Sequence, residues 1–75
     1  MQIAVKLMGL LKPRTPAGGR IELAEGATIT DALRVLEIDA PPTFMFSVNG
    51  QLERSRERTL SADDQLTILP PVGGG

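Results

Sequence analysis

The chain has 75 residues and a formal net charge of −1, from 8 basic and 9 acidic side chains, with no cysteine and no histidine. That length allows one domain, near the lower limit at which a chain can bury enough surface, roughly 60% of it, to fold alone. The composition excludes disulfides, thiolate metal sites, zinc chemistry and imidazole catalysis, and the balanced charge excludes a basic field for non-specific nucleic-acid binding.

From Gln2 to Met8 the residues alternate, with Ile3, Val5 and Leu7 on one face and Ala4, Lys6 and Met8 on the other, the period of a strand. The opening MQIAVKLMGLLKP has neither a basic leader nor a small-residue cleavage site, and no apolar run approaches a membrane span, so a cytoplasmic protein with no membrane partner is expected. Pro13, Pro16 and Gly18-Gly19 then break the pattern. Those glycines lack the spacing, the lysine and the following helix of a phosphate loop. RIELA restarts the alternation with Ile21 and Leu23 on one face, so the first two strands are expected to form a hairpin across a long, mobile loop.

In GATITDALRVLEI, Thr28 followed by Asp31 resembles a capping box with the shorter acid in place of glutamate. Ile29, Ala32, Leu33 and Leu36 then fall at i, i+3, i+4 and i+7, an apolar helical stripe that can lie on a sheet, while Arg34 and Glu37 point to water. Pro41-Pro42 forbids continuation, so the helix ends a few residues earlier. FMFSVNG places Phe44, Phe46 and Val48 on one face of a third strand and Met45 and Ser47 on the other, and Asn49-Gly50 is a strong hairpin signal. Gln51 and Leu52 begin a short return strand that dissolves into ERSRER, read here as a solvated charged loop. LSADDQ reads as a turn, which explains Asp63-Asp64 better than a metal site does. LTILP is the last strand, with Leu66 and Ile68 inward and Thr67 and Leu69 outward.

The order strand, strand, helix, strand, short strand, strand suits an α+β domain in which one helix packs across one face of a mixed sheet, the ubiquitin-like β-grasp. Its boundaries are residues 1–69, followed by a flexible tail over 70–75. The expected core is Val5, Leu7, Leu33, Leu36, Phe46, Val48, Leu66 and Ile68. Away from the helix, Leu69, Met45, Met8 and Ala4 are expected to form an apolar patch beside the tail's exit, a partner surface if contiguous and ordinary scattered apolar residues if not.

The tail, Pro70-Pro71-Val72-Gly73-Gly74-Gly75, begins with two prolines that stop the strand and stiffen its exit. Beyond them there is almost no side-chain bulk, so an extended tail fits a channel too narrow for ordinary residues, with a reach of at most about 20 Å at roughly 3.3–3.6 Å per residue. The bland alternative is an inert end.

LPPVGGG closely resembles the C-terminus of the ubiquitin-like sulfur carriers, above all the small, MoaD-like subunit of molybdopterin synthase, whose usual ending is Pro-Pro-Val-Ala-Gly-Gly. The resemblance runs back through TLSADDQLTILPPVGGG, with Leu60, Asp64 and Leu66 at matching positions, and through SVNG. Gly73 stands where alanine is usual and Leu69 where an aromatic is common, and the Gly-Gly-Gly ending is also similar to ThiS-like thiazole-pathway carriers. The double proline favours the molybdopterin branch. The resemblance implies that a ubiquitin-activating-like adenylyltransferase (MoeB/ThiF-like) uses ATP to adenylate Gly75. A sulfur donor then leaves a thiocarboxylate, and the tail enters the MoaE-like large subunit or another sulfur acceptor. Partners would supply the catalytic residues, and no cofactor would be bound permanently. The alternatives are a carrier for thiazole, tRNA thiolation or another metabolite, a ubiquitin-like protein modifier, and a plain interaction module.

Overall fold

The computed structural model describes residues 1–71. Five strands form one mixed sheet: β1 (Gln2–Leu7), β2 (Arg20–Glu22), β3 (Met45–Val48), β4 (Gln51–Glu53) and β5 (Gln65–Leu69). One helix, α1 (Ile29–Leu36), connects β2 to β3. The strand order is β2-β1-β5-β3-β4, so the last strand lies in the middle. It pairs parallel with β1 and antiparallel with β3, and the two outer pairs are antiparallel hairpins. This is the β-grasp arrangement that the element order predicts.

The alternation on the strands decides which face the helix covers. Ile3, Val5 and Leu7 of β1, Phe46 and Val48 of β3 and Leu66 and Ile68 of β5 are buried together with Ile29, Ala32 and Leu33 of α1. Each of the larger of these side chains removed from water contributes about 1.5–3 kcal/mol, which is how so short a chain offsets its ordering entropy. Leu36, expected in the core, is only half-buried because it sits at the helix's last turn. Phe44 is also half-buried and precedes β3, so that strand begins one residue later than its alternation suggests.

The helix is closed at both ends. The Thr28 amide donates to Asp31 Oδ2 at 2.9 Å and the Asp31 amide to Thr28 Oγ1 at 3.4 Å, the reciprocal capping box expected from the sequence. At the other end Glu37 takes a left-handed conformation (φ 57°) and the Ile38 amide donates to the Leu33 carbonyl at 3.0 Å, a Schellman closure that tucks Ile38 into the core. Asn49 (φ 53°) and Gly50 (φ 85°) make the β3–β4 turn with both residues left-handed, as a tight hairpin requires.

Two expectations need correction. The β1–β2 connection, expected as a long, mobile loop, holds a 3₁₀ segment over Gly9–Arg14 and a turn over Ala17–Gly19 in which Gly18 is left-handed (φ 74°). Arg14 reaches from it to the carbonyl of Glu37, at 2.8 Å. Nor is ERSRER a free solvated loop. The Arg56 guanidinium donates to the carbonyls of Ala40 (2.6 Å) and Pro41 (2.5 Å) and lies 5.1 Å from the centre of the Phe46 ring. The carbonyls of Arg58 and Arg56 accept from the amides of Ile29 (3.2 Å) and Thr30 (3.1 Å). A helix leaves its first amides without internal partners, and this charged segment supplies two of the missing acceptors.

Candidate functional site

The site expected from the sequence is the strand exit and the tail beyond it. Residues 70–75 divide here: Pro70 and Pro71 are described, whereas Val72, Gly73, Gly74 and Gly75 lie outside the described residues. The tail therefore begins at the end of the central strand, where β5 is hydrogen-bonded along both edges.

The β registers set out the sheet face opposite α1. Met45 of β3 is paired with Leu69 of β5. Leu7 pairs with Ile68, and the Met8 amide donates to the Ile68 carbonyl at 3.1 Å, which carries Met8 alongside Leu69. Met45, Leu69 and Met8 thus form one row across three adjacent strands at the tail's exit, with Met45 50% exposed and the other two half-buried. The next row back is Leu52, Ser47, Thr67 and Lys6. Ala4, expected in the same patch, is paired with Gln65 and Arg20, so the Lys6–Thr67 row separates it from the methionines. The apolar row is consequently narrower than the sequence implies.

Two apolar residues missed by the sequence reading flank this row. Leu52, 51% exposed, continues the face at the β4 edge, and its outward direction follows from pairing with Ser47. Leu10, 88% exposed, stands in the 3₁₀ turn directly after Met8. Only the turn's conformation shows that exposure, and the sequence GLLKP carries no local signal for it.

The acidic pair at the other end of β5 belongs to the scaffold. Asp63 is left-handed (φ 66°) and pairs with Arg20 at 2.8 Å. Asp64 accepts from Asn49 Nδ2 (2.9 Å) and from the Ser61 amide (2.8 Å). Partial burial works against the Asp64 carboxylate, yet these hydrogen bonds together hold its pKa below the ordinary aspartate value. No group of three or more His, Cys, Asp or Glu side chains among the described residues is placed to hold a metal ion. No helix among them is long and apolar enough to cross a membrane.

What this arrangement offers is a stiffened exit from a rigid strand beside an exposed apolar row. Any chemistry at Gly75 takes place on a segment with no nucleophilic side chain of its own.

The model of the ThiS family matches residues 5–75. No protein of curated function matches the chain in sequence. Among solved structures, SAMP1 from Haloferax volcanii is similar at a TM-score of 0.79 and 22% identity, with 100% of each chain covered. A second structure, of the H. volcanii small archaeal modifier protein 1, is similar at 0.77 and 21%, covering 95% of this chain and 98% of that one. A chain from the complex of subunits 1 and 2 of the molybdopterin-converting factor of Helicobacter pylori is similar at 0.64 and 19%, with 100% of each chain covered. At these identities the structural likenesses speak to the fold.

Proposed function

The chain belongs to the ThiS family of ubiquitin-like sulfur carriers, and from that premise we propose that Gly75 is its working residue, adenylated and then converted to a thiocarboxylate that donates sulfur in molybdopterin synthesis. The observation that carries this reading is the reach of the family match through Gly75, the end of a tail that leaves the central strand through Pro70-Pro71.

An α-carboxylate has a pKa of about 3.3–3.7, so near neutrality it is an anion and a poor electrophile. Activation removes that obstacle. A carboxylate oxygen attacks the α-phosphorus of ATP with loss of pyrophosphate, and a hydrosulfide sulfur then displaces AMP from the acyl carbon, leaving a thiocarboxylate and AMP. The product holds its sulfur on the main chain, which suits a protein without cysteine. In this reading the protein is a co-substrate, and a ubiquitin-activating-like adenylyltransferase and a sulfur-accepting large subunit supply the catalysis. Met8, Met45 and Leu69 form the surface both partners rest on, because an enzyme acting on Gly75 works within four residues of Pro71, about 13–14 Å at full extension. The Pro-Pro-Val sequence favours the molybdopterin acceptor.

A second reading is a protein modifier, in which the activated Gly75 is joined to lysines of other proteins. It is favoured by the similarity to a protein named as a small archaeal modifier.

Intact-mass measurement after incubation with ATP, the activating enzyme and a sulfur donor tests the first reading. A gain matching one oxygen-to-sulfur exchange, abolished by deleting Gly74 and Gly75 with folding unchanged, is expected. Absence of both adenylate and thiocarboxylate would overturn it, and isopeptide adducts recovered with the intact tail would establish the second reading.

A further inference from the structure

We propose that Gly9 is a positioning residue whose bare Cα seats Pro70 and so sets the direction in which the tail leaves the sheet. The proposal deepens the reading of Gly75 as the reacting end and rests on it for its activity assay.

Five glycines among the described residues have positive φ, but their surroundings differ. A Cβ placed on Gly18, Gly26 or Gly50 would meet nothing within 4 Å, and one on Gly19 would reach only the Val5 carbonyl, at 3.8 Å. A Cβ on Gly9 (φ 56°) would lie 3.3 Å from Pro70 Cγ, tighter than ordinary van der Waals contact. Backbone conformation alone does not demand glycine at this position. Asn49 (φ 53°) and Asp63 (φ 66°) have nearly the same φ elsewhere in the chain. The particular demand at Gly9 is therefore the proline above it.

The seat is braced. Met8 donates its amide to the Ile68 carbonyl at 3.1 Å, two residues before Pro70, and accepts from the Leu11 amide at 3.1 Å. Gly9 is held against the same strand end that it supports, so a side chain there displaces the proline more readily than the turn. Pro70 has a fixed φ, and Pro71 continues its path, so tilting the first ring redirects the start of the tail.

Gly9→Asn separates the seat from the fold, because asparagine tolerates the left-handed region while its Cβ presses on Pro70. Gly26→Asn is the control, at a glycine that also has positive φ (83°) but open space around its Cα. The two variants are compared by thermal unfolding, by the amide chemical shifts of Val72 and Gly73, and by ATP–pyrophosphate exchange with the activating enzyme. Gly9→Asn is expected to shift those amides and to lower kcat/KM by about tenfold, as misplacement of a reacting end does, while Gly26→Asn stays within about twofold of the parent. Removing Cγ with Pro70→Ala is expected to absorb the effect, so that the double variant is no slower than Pro70→Ala alone. Equal tail shifts and equal kcat/KM for the two asparagine variants would overturn the proposal, as would additive losses in the double variant. Exchange that persists at full rate after deletion of Gly75 would instead refute the reading of the tail, and the shift comparison would still decide the seat.

Discussion

The two faces of the central strand are made from alternate residues of one five-residue segment, and they differ in almost everything else. Leu66 and Ile68, beneath the helix, are 0% exposed, whereas Thr67 and Leu69 on the opposite face are partly open and Leu69 is flanked by the half-exposed Met45. The first pair holds the sheet to its helix. The second has no covering element among the described residues, yet it is apolar at the end where the tail departs. A small domain thus separates stability from recognition by strand period rather than by region, and neighbouring substitutions should fail in different ways.

The sharpest break comes on the buried face. Ile68→Ala removes side-chain volume from a site with no solvent access, and a loss of about 2–5 kcal/mol is expected in denaturant titration, a large share of the stability of a domain this size. A loss below about 1 kcal/mol would mean that the core is looser than its burial implies. On the open face, Met45→Glu with Leu69→Glu is expected to weaken binding to the activating enzyme at least tenfold, about 1.4 kcal/mol, by placing charge where the partner offers apolar surface. Its unfolding midpoint should move little. Unchanged affinity in calorimetry would remove this face from the partner surface.

Smaller effects lie away from the strand. Thr28→Ala takes away the side chain that accepts from the Asp31 amide, and about 1 kcal/mol of stability is expected to go with it. The partner carboxylate gives the smallest effect. The Thr28 amide holds the Asp31 pKa below the ordinary aspartate value, partial desolvation opposes it, and the Thr28 hydroxyl and Arg34 reinforce it. A carboxyl whose folded pKa is depressed stabilises fully above its unfolded pKa, and that contribution drains away as pH falls through the folded value. Unfolding measured from about pH 5 downward should show this loss. In Asp31→Asn the slope should be shallower, and an identical slope would show that other carboxylates carry it.

The sequence displayed the buried face well, because strand alternation and helical spacing are local patterns: Phe46 and Val48, Leu66 and Ile68, and the Thr28–Asp31 box all stand where their spacing puts them. It displayed poorly what depends on partners far along the chain. Arg56 looks like one charge in a mixed run, and only folding brings it to the carbonyls of Ala40 and Pro41 and over Phe46. Leu60, noted only as part of a motif, is fully buried because its amide donates to the carbonyl of Ala27 and draws the segment under the helix's start. Register acts in the same way on the open face. Period placed Ala4, Met8, Met45 and Leu69 on one face, but the register of β5 against β1 and β3 put Ala4 at the far end.

The double pairing of the central strand also has a mechanical side. Traction on Pro71 runs along β5, parallel to its axis, so it loads the ladders to β1 and β3 together and in shear rather than peeling them apart one bond at a time. An edge strand under the same pull would load one ladder instead of two. A pull on the tail along β5 is therefore resisted by two ladders at once.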